Sequence, residues 1–417
     1  MGQSNRVEHV LVTGANGYIG SKLVRMALDQ KRVVTILGRS DRKGSPSVRF
    51  VKWELGADLP DLVLNTNQTA IVHLAHDWTD RDEDGINKRG TRMLLAGTRR
   101  VGLRRFVFVS SQSARSDALN AYGRIKWRIE QLLDGADTVA ARVGLVYGGP
   151  ARGMYGLLLK LVSSTPILPM VDPWRLVQPI HVDEVCQGLL ALADGEATGR
   201  IGLAGPVPIS FGEFLKTLRR ESFAASLIVP SVPLRLALLG ASVASHLPFA
   251  VRVDRERILG LAGAPQLNCK GDLETLGLSV APVEMGLRRD PIGTKALLRE
   301  GAALCRYVLR QRVRGNLIRL YARTVRAVDK DRAGPLALPW LVLYAPFLLR
   351  LYEPRRSDVG LAKRLRVAMA LAEFSAEGVG TMDRSGIAGS RAAGLLCALW
   401  QVSLDALLFP FRLWLAR

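Results

Sequence analysis

The sequence predicts an α/β fold, a doubly wound parallel sheet with a smaller substrate-binding part and a helical C-terminal extension. Three observations carry this. A short apolar run, Val10-Leu11-Val12, ends in Thr13-Gly14-Ala15-Asn16-Gly17-Tyr18-Ile19-Gly20 and passes into an amphipathic segment from Ser21 to Leu28, the pattern of strand, glycine turn and helix. Apolar strand-like runs then alternate with helical patterns from Val7 to about Gly148, which is the mark of βα units and of a sheet covered on both faces. Beyond about Glu284 the composition turns basic and helical.

The glycine turn sets the first expectation about chemistry. Gly14 permits the tight turn, Gly17 lets the backbone approach a pyrophosphate, and Gly20 lets the helix pack on the strand, the Rossmann-type arrangement. The first N–H groups of that helix, at the positive end of its dipole, would face the phosphates. The competing reading is an ordinary strand-to-helix turn. A second strand, Val33 to Leu37, follows at βαβ spacing and ends in Gly38-Arg39-Ser40, where an NAD-selective site carries an acid. Arg39 instead offers a fork for a 2′-phosphate, which favours NADP(H) and leaves NAD(H) as the alternative. A solvated loop charge is the bland reading of Arg39.

Further strands are expected over Ala70 to Ala75, Arg105 to Ser110 and Thr138 to Val143, with crossover helices over Asn87 to Arg100 and Tyr122 to Leu133. Residues 1–150 are thus read as the dinucleotide-binding domain, with segments returning to it from further along the chain. From 151 to 284 the pattern is irregular, broken by Pro166, Pro169, Pro173 and Pro179 before a helix from Asp183 to Ala193, and this is the expected substrate-binding region.

Residues 285–417 hold 23 Lys and Arg against 10 Asp and Glu, so +13 of the chain's formal +21 lies there. Leu317, Leu320, Tyr321 and Val325 recur at helical spacing among Arg306, Arg310, Arg312, Arg314, Arg319 and Arg323, as in a cationic amphipathic helix. The uncharged stretch from Ala333 to Leu349 is short for a membrane span and is interrupted by Pro335, Pro339 and Pro346; Ala392 to Leu404 is shorter still and precedes Phe409 to Trp414. An interfacial or buried role is preferred to a true span. The extension is read either as a contact with an anionic membrane surface or as helices docked on the enzyme.

At 417 residues and 48% hydrophobic composition, the chain can bury a sizeable core in more than one domain. Its positive charge attracts anions, but no nucleic-acid module is apparent among the aliphatic runs, so nucleic acid is not expected as a partner. Cys186, Cys269, Cys305 and Cys397 are widely spaced without a CxxC pair, which predicts neither a disulfide framework nor a metal site. Arg6 stands where a myristoylation signal needs Ser or Thr, and no targeting peptide is visible. A cytoplasmic setting follows, with peripheral attachment to the cytoplasmic membrane face as an option.

Catalytic chemistry is suggested by Tyr122-Gly123-Arg124-Ile125-Lys126, which places a phenol and an ammonium one helical turn apart on one face. A cation beside a tyrosine favours phenolate, so the pair could take a hydroxyl proton while hydride passes to a nicotinamide, or run the reverse reduction. Upstream, the strand through Val109 ends in Ser110-Ser111-Gln112-Ser113, hydroxyls at a carboxyl edge where open sheets bind ligands. Ser111 could donate to the reacting oxygen, whereas Ser110 and Ser113 could equally cap or fill turns.

These segments together resemble the extended short-chain dehydrogenase/reductases, the NAD-dependent epimerase/dehydratase family. The resemblance rests on Gly14, Gly17 and Gly20, the strand ending at Ser110-Ser111, Tyr122 with Lys126, the helix opening at Asn87, Arg142 to Gly148, and His181 to Val185, and it covers roughly residues 7–280. It implies Ser111, Tyr122 and Lys126 as the catalytic set, with Lys126 also on the nicotinamide ribose. It further implies Thr13, Gly14, Asn16, Gly17, Tyr18, Ile19, Gly20, Arg39, Glu54, Leu55, Leu74, Ala75 and Asn87 along the cofactor, and Ser113, Arg142, Tyr147 and His181 along the substrate. Asp183 reads as the cap of the helix it opens rather than an acid, and His181 as a brace for that loop.

Two departures stand out. Only eleven positions separate Ser111 from Tyr122, fewer than in nucleotide-sugar epimerases of the family, so the substrate lid is trimmed. The basic extension matches nothing in the compact epimerases, which suggests an atypical member similar to the branch holding the nucleotide-binding accessory subunit of respiratory complex I. The expected function is an NAD(P)-dependent oxidoreductase or epimerase acting on a sugar or other alcohol or ketone, nucleotide-linked by the family's habit. A nucleotide-binding structural or assembly subunit of a membrane complex is the alternative. A homodimer is expected by analogy.

Overall fold

In the computed structural model, the described residues are 6–40, 48–60, 68–223, 226–233, 264–289, 294–311, 313–328, 336, 338, 342, 345–352 and 359–375. The chain divides into two compact units. The first comprises 1–161, 167–218 and 228–290, and the second 162–166, 219–227 and 291–417.

The first unit is built on strands β1 (His9–Thr13), β2 (Val33–Gly38), β3 (Val48–Lys52), β4 (Thr69–His73), β5 (Arg105–Ser111), β6 (Thr138–Val143) and, after two short pairs further along the chain, β10 (Gly199–Leu203). They form one sheet in the order β10-β6-β5-β4-β1-β2-β3, and every pairing in it is parallel. The chain runs outward from β1 to β3, then returns to β4 on the other side of β1. The switch point therefore lies between β1 and β4, where the carboxyl ends of the strands open a crevice for a ligand.

The central strands are buried on both faces because their side chains divide between two cores. Val10, Val12, Val72 and Val107 point to one, with Leu23 and Ala27 of α1 (Tyr18–Asp29) and Leu189 of α5 (Val182–Asp194). Leu11, Ile71, Phe106 and Phe108 point to the other, with Leu94 of α2 (Ile86–Arg100) and Ile125 of α3 (Ala121–Glu130). Buried Arg32 holds the carboxylate of Asp194 through two hydrogen bonds of 2.6 and 2.7 Å, and Asp194 also accepts from the Val7 amide at 2.9 Å, tying the entry of β1 to the exit of α5.

Strands β3 and β10 extend the sheet beyond the five runs expected from sequence. β3 is only partly buried, and β10 contains Gly199, Arg200 and Gly202, so neither has the apolar run of a central strand. Between β6 and β10 lie β7 (Leu145–Tyr147), α4 (Gly153–Ser164), β8 (Leu176–Val177) and β9 (Pro179–His181). β11 (Ile209–Ser210), α6 (Phe211–Phe223), α7 (Lys270–Thr275) and α8 (Val283–Arg289) follow β10. The region from 151 to 284 thus gives a strand back to the main sheet. The cap of α5 is His181, not Asp183. His181 is extended and its side chain accepts from the Asp183 amide at 3.2 Å, while the Glu184 carboxylate accepts from the His181 amide, a reciprocal capping box. Asp183 instead pairs with Lys22 at 2.8 Å.

In the second unit α9 (Thr294–Leu309), α10 (Gly315–Val328) and α11 (Val359–Glu373) share a core that includes Leu304, Cys305, Leu317, Tyr321, Val325, Leu361 and Ala368. The buried carboxylate of Glu300 accepts the Tyr321 hydroxyl at 2.6 Å and lies 3.6 Å from the Arg364 guanidinium. The apolar stripe of α10 is therefore occupied by its own unit, apart from Leu320, which is 46% exposed. A lipid-inserted apolar face, the usual reading of a cationic amphipathic helix, does not apply to it. No helix among the described residues is long and apolar enough to cross a membrane. Most of Ala333–Leu349 and all of Ala392–Leu404 and Phe409–Trp414 lie outside the described residues.

The turn after β1 yields a direct test. A Cβ on Gly20 would sit 2.3 Å from the Gly14 carbonyl oxygen, against backbone that cannot swing away. Gly20→Ala is expected to cost about 1–3 kcal/mol and to lower the melting temperature and dinucleotide affinity together. Gly271→Ala, with nothing within 4 Å, should leave both unchanged. Equal behaviour of the two variants by thermal shift would contradict the close packing of α1 on its turn.

Candidate active site

The glycine turn has the shape of a phosphate cradle. Gly14 has φ +68°, in the left-handed region, and a Cβ there would press on the backbone of Leu74 and Ala75 at 2.8 Å. Gly17 caps α1 with no side-chain hydrogen bond, and the first turn holds no acid. The opening of α1 at Tyr18, Ile19 and Gly20 thus presents the positive dipole end that suits a pyrophosphate. Asn16 lies exposed on this turn, and the Tyr18 hydroxyl donates to the Gly148 carbonyl. These residues fit a dinucleotide.

Thr13 turns inward and is fully buried. Its hydroxyl is 2.7 Å from His73 Nδ1 and accepts from the Leu74 and Ala75 amides at 3.1 Å each. On the other side His73 Nε2 lies 3.0 Å from Thr91 Oγ1, which donates its one proton to the Asn87 carbonyl at 2.7 Å. Thr91 must then accept from Nε2–H, so Nδ1 is bare and accepts from Thr13. Burial first, and Lys126 second, hold the His73 pKa down to about 3, so the ring stays neutral.

Asn87 is engaged with the chain itself. Its amide group donates to the Asp77 carbonyl at 2.9 Å and accepts from the Asp77 amide at 2.8 Å, and its backbone N–H donates to Asp80 at 2.9 Å. The loop after β4 is clamped to the start of α2 by these bonds. Arg39 and Glu54 are exposed beyond the ends of β2 and β3, and Leu55 is half-buried.

At the same carboxyl edge β5 delivers Ser111, whose hydroxyl is 2.9 Å from that of Ser113 and hydrogen-bonded to the Tyr122 phenol. Asn120 caps α3 by accepting from the Gly123 amide at 3.1 Å, which sets the helix so that Tyr122 faces Ser111. One turn on, buried Lys126 donates to the Val109 carbonyl at 2.8 Å and lies 5.6 Å from the Tyr122 ring centre. Structure therefore brings Ser111, Tyr122 and Lys126 together. Burial pushes the phenol up to about 12 against the pull of Ser111, and pushes the amine down to about 7 against the opposing carboxylate of Glu130. Both groups are steered towards their neutral forms.

The residues expected along the substrate divide. Ser113 lies beside Ser111. Arg142 instead binds buried Glu130 at 2.9 and 2.6 Å, and Glu130 also accepts Ser110 at 2.6 Å and Arg200 at 2.9 Å. Tyr147 and His181 are fully buried with their rings edge to face at 5.4 Å, away from any exposed surface. Ser110, which a turn-filling role also suited, is part of the Glu130 cluster. Sequence reasoning missed His76 and Trp78, whose rings contact Tyr122 with centres 5.0 Å away in each case. The only signal for them was two aromatic residues immediately after the His73-Leu74-Ala75 strand end.

By class, the first unit is a Rossmann-type dinucleotide-binding unit with its Ser–Tyr–Lys set at the open edge of the sheet. Residues 10–200 match the NAD dependent epimerase/dehydratase family. The ceramide reductase of Caulobacter vibrioides (strain NA1000 / CB15N) is 28% identical over 204 residues, 47% of this chain and 64% of that protein, so the match spans less than two thirds of that relative. The dTDP-glucose 4,6-dehydratase of Streptomyces griseus is 26% identical over 254 residues, 50% of this chain and 77% of that protein. The terminal R domain from the myxalamid PKS-NRPS biosynthetic pathway superposes with a TM-score of 0.54 at 18% identity, covering 68% of this chain and 89% of that one, a likeness of fold.

The depressed Lys126 pKa predicts a pH-dependent stability. Between about pH 7 and 10.5 the unfolded chain binds a proton at Lys126 that the folded chain lacks, so the stability of the folded state rises with pH across that window. Lys126→Met removes the titration. Its melting temperature relative to the wild type should therefore be most favourable at or below pH 7 and fall behind progressively towards pH 10. A constant difference across the window would show that Lys126 titrates normally.

Proposed function

We propose that the protein is an NAD(P)-dependent oxidoreductase acting on an alcohol or ketone carbon, with Tyr122 as proton donor or acceptor. The observation that carries this is the Tyr122 phenol hydrogen-bonded to Ser111, one turn from buried Lys126, at the same sheet edge as the glycine cradle. A nicotinamide bound there supplies or accepts the hydride. In reduction, Ser111 donates a hydrogen bond to the substrate carbonyl oxygen, and Tyr122 gives that oxygen its proton as the carbon gains hydride; oxidation is the reverse. Since burial keeps the phenol protonated and Lys126 near half charge at neutrality, the set is prepared for reduction. The reductase and dehydratase among its relatives support redox chemistry at such a carbon.

Arg39, exposed one residue beyond β2, supports NADP(H) as the cofactor, and the family's name supports NAD(H) as the alternative. The test joins both points. With NADPH and a panel of UDP- and dTDP-sugars and long-chain ketones, Tyr122→Phe is expected to lower kcat/KM by about 10²–10⁴ without weakening dinucleotide binding. Arg39→Ala should weaken NADPH and spare NADH in calorimetry. Dinucleotide binding with no Tyr122-dependent turnover would instead favour a nucleotide-binding assembly subunit.

The basic extension supports a second element of the proposal, a peripheral contact with an anionic bilayer. Arg299, Arg306, Arg310, Arg314, Arg319, Arg323 and Arg326 are all exposed on α9, α10 and the turn between them, and the one acid within 294–328, Glu300, is buried. Such a face binds anionic headgroups by charge rather than by insertion. Flotation with phosphatidylglycerol vesicles is expected at low salt, to be lost at 0.5 M salt and in Arg319→Glu/Arg323→Glu. Flotation unaffected by salt and by charge reversal, or none at low salt, would exclude it.

A further inference from the structure

The loop that joins β4 to α2 brings His76 and Trp78 against Tyr122. Among the described residues, it carries the one large aromatic side chain that touches Tyr122 and still lies mainly in solvent. Trp78 is 64% exposed, yet its indole is stacked on the Tyr122 ring with centres 5.0 Å apart and planes 14° from parallel. His76 closes the group, its ring edge-on to Tyr122 at 5.0 Å and to Trp78 at 4.8 Å. Burial and the charge of Lys126 hold the His76 pKa down to about 3, so it packs as a neutral ring, and its Nδ1 has no hydrogen-bond partner.

Exposure of this indole does not come from a loose loop. Asn87 bonds the Asp77 backbone through both Nδ2 and Oδ1 of its side chain, the Asp77 carboxylate accepts from the Thr79 amide and hydroxyl at 2.9 and 2.7 Å, and the Asp80 carboxylate accepts from the Asn87 backbone amide. The backbone before Trp78 is thereby tied to the buried side chain of Asn87, and the backbone after it to the carboxylate of Asp77. One face of the indole is used on Tyr122, and the chain is braced so that the remainder is presented beside the reacting phenol. An apolar surface held open in this way is favourable when a ligand covers it.

We propose that Trp78 is a specificity-determining and positioning residue of this site: its indole receives a C–H-rich face of the substrate next to the reacting carbon, and shields the Tyr122 phenol from water. The inference rests on the oxidoreductase reading for its substrate part. A C–H-rich face is offered by one side of a pyranose ring or by an alkyl chain, and both stack on indole. The groups facing the phenol are Ser111 from β5, Lys126 from its own helix, and His76 and Trp78 from the loop. Of these only Lys126 changes charge near neutrality, so removing Trp78 alters solvent access to the phenol without altering the charge around it.

The phenol can be read without turnover. Ionisation of Tyr122 is isolated as the difference in tyrosinate absorbance between each protein and its Tyr122→Phe counterpart, at pH 9 to 10.5 with folding followed by circular dichroism. Wild type and Trp78→Phe are expected to show almost no ionised Tyr122 at pH 10.5, whereas Trp78→Ala should show a midpoint at least one pH unit lower and substantial ionisation there. An unchanged midpoint in Trp78→Ala overturns the shielding role. For the substrate face, UDP-glucose and a long-chain 2-ketone are the two probes. Whichever is turned over should show a KM raised about tenfold in Trp78→Ala, with a smaller change in kcat and recovery in Trp78→Phe. KM unchanged for a probe that is turned over would overturn the role of Trp78 in receiving the substrate face. Loss of the Tyr122 requirement would overturn the oxidoreductase reading while leaving the absorbance result to judge Trp78.

Discussion

A single hydroxyl group holds the switch point of the sheet. Thr13 Oγ1 has one proton and two lone pairs, and all three are committed: the proton to His73, the lone pairs to the amides of Leu74 and Ala75. The carboxyl ends of β1 and β4 are thereby fixed to one another where the chain turns into Gly14. Because His73 passes the chain of bonds on through Thr91 to Asn87, the relay also sets the first turn of α2 and the loop it clamps. A buried polar chain of this kind is favourable only when every member is satisfied. The neutral state of His73 follows, since a second ring proton would face the Thr13 proton in a site without solvent.

The charges around the site are arranged by the same logic of burial. Glu130 has no solvent contact, and its carboxylate is met by Arg142, Arg200 and Ser110. It lies one turn beyond Lys126, so one helix face presents phenol, amine and carboxylate in sequence at Tyr122, Lys126 and Glu130. The arginines satisfy Glu130 fully enough that Lys126 is left to bond the Val109 carbonyl, and burial then outweighs the pull of the carboxylate on its amine. Arg142 is on this account part of the support for α3 rather than a group offered to substrate. Tyr147 and His181 likewise support the segment they belong to, through their mutual ring contact and the cap of α5.

What was legible in the sequence is what local pattern encodes. The apolar runs of β1, β2, β4, β5 and β6 are visible because strands buried on both faces need continuous hydrophobic sequence, and the glycine turn is visible because backbone contacts of 2.3 to 2.8 Å exclude any Cβ. Edge strands β3 and β10 lack that requirement and left no such run. The spacing of Tyr122 and Lys126 was readable because one helical turn joins them, as was the neighbouring strand end at Ser111. The clamp of Asn87 on Asp77, the pairing of Arg142 with Glu130, and the stacking of Trp78 on Tyr122 link residues through the fold, where sequence separation carries no signal. Asp183 as a helix cap was a reasonable reading of residue type that lost to His181, because the extended backbone at 181 places its ring over the first free amides.

The C-terminal extension shows how the same pattern supports two physical outcomes. A stripe of Leu317, Tyr321 and Val325 opposite arginines is what a membrane-surface helix requires, and also what a helix packed on two others requires. The decision falls on whether the apolar stripe has protein to cover it, and here α9 and α11 do, with Glu300 satisfying the Tyr321 hydroxyl inside the core. Once the stripe is buried, the arginines are left as a solvent-facing layer whose attraction to an anionic surface acts at a distance and is screened by salt. Apolar insertion and electrostatic adsorption are thus separable for this protein. Only adsorption is compatible with the packing of α10, and it requires no change in the fold of the unit that bears it.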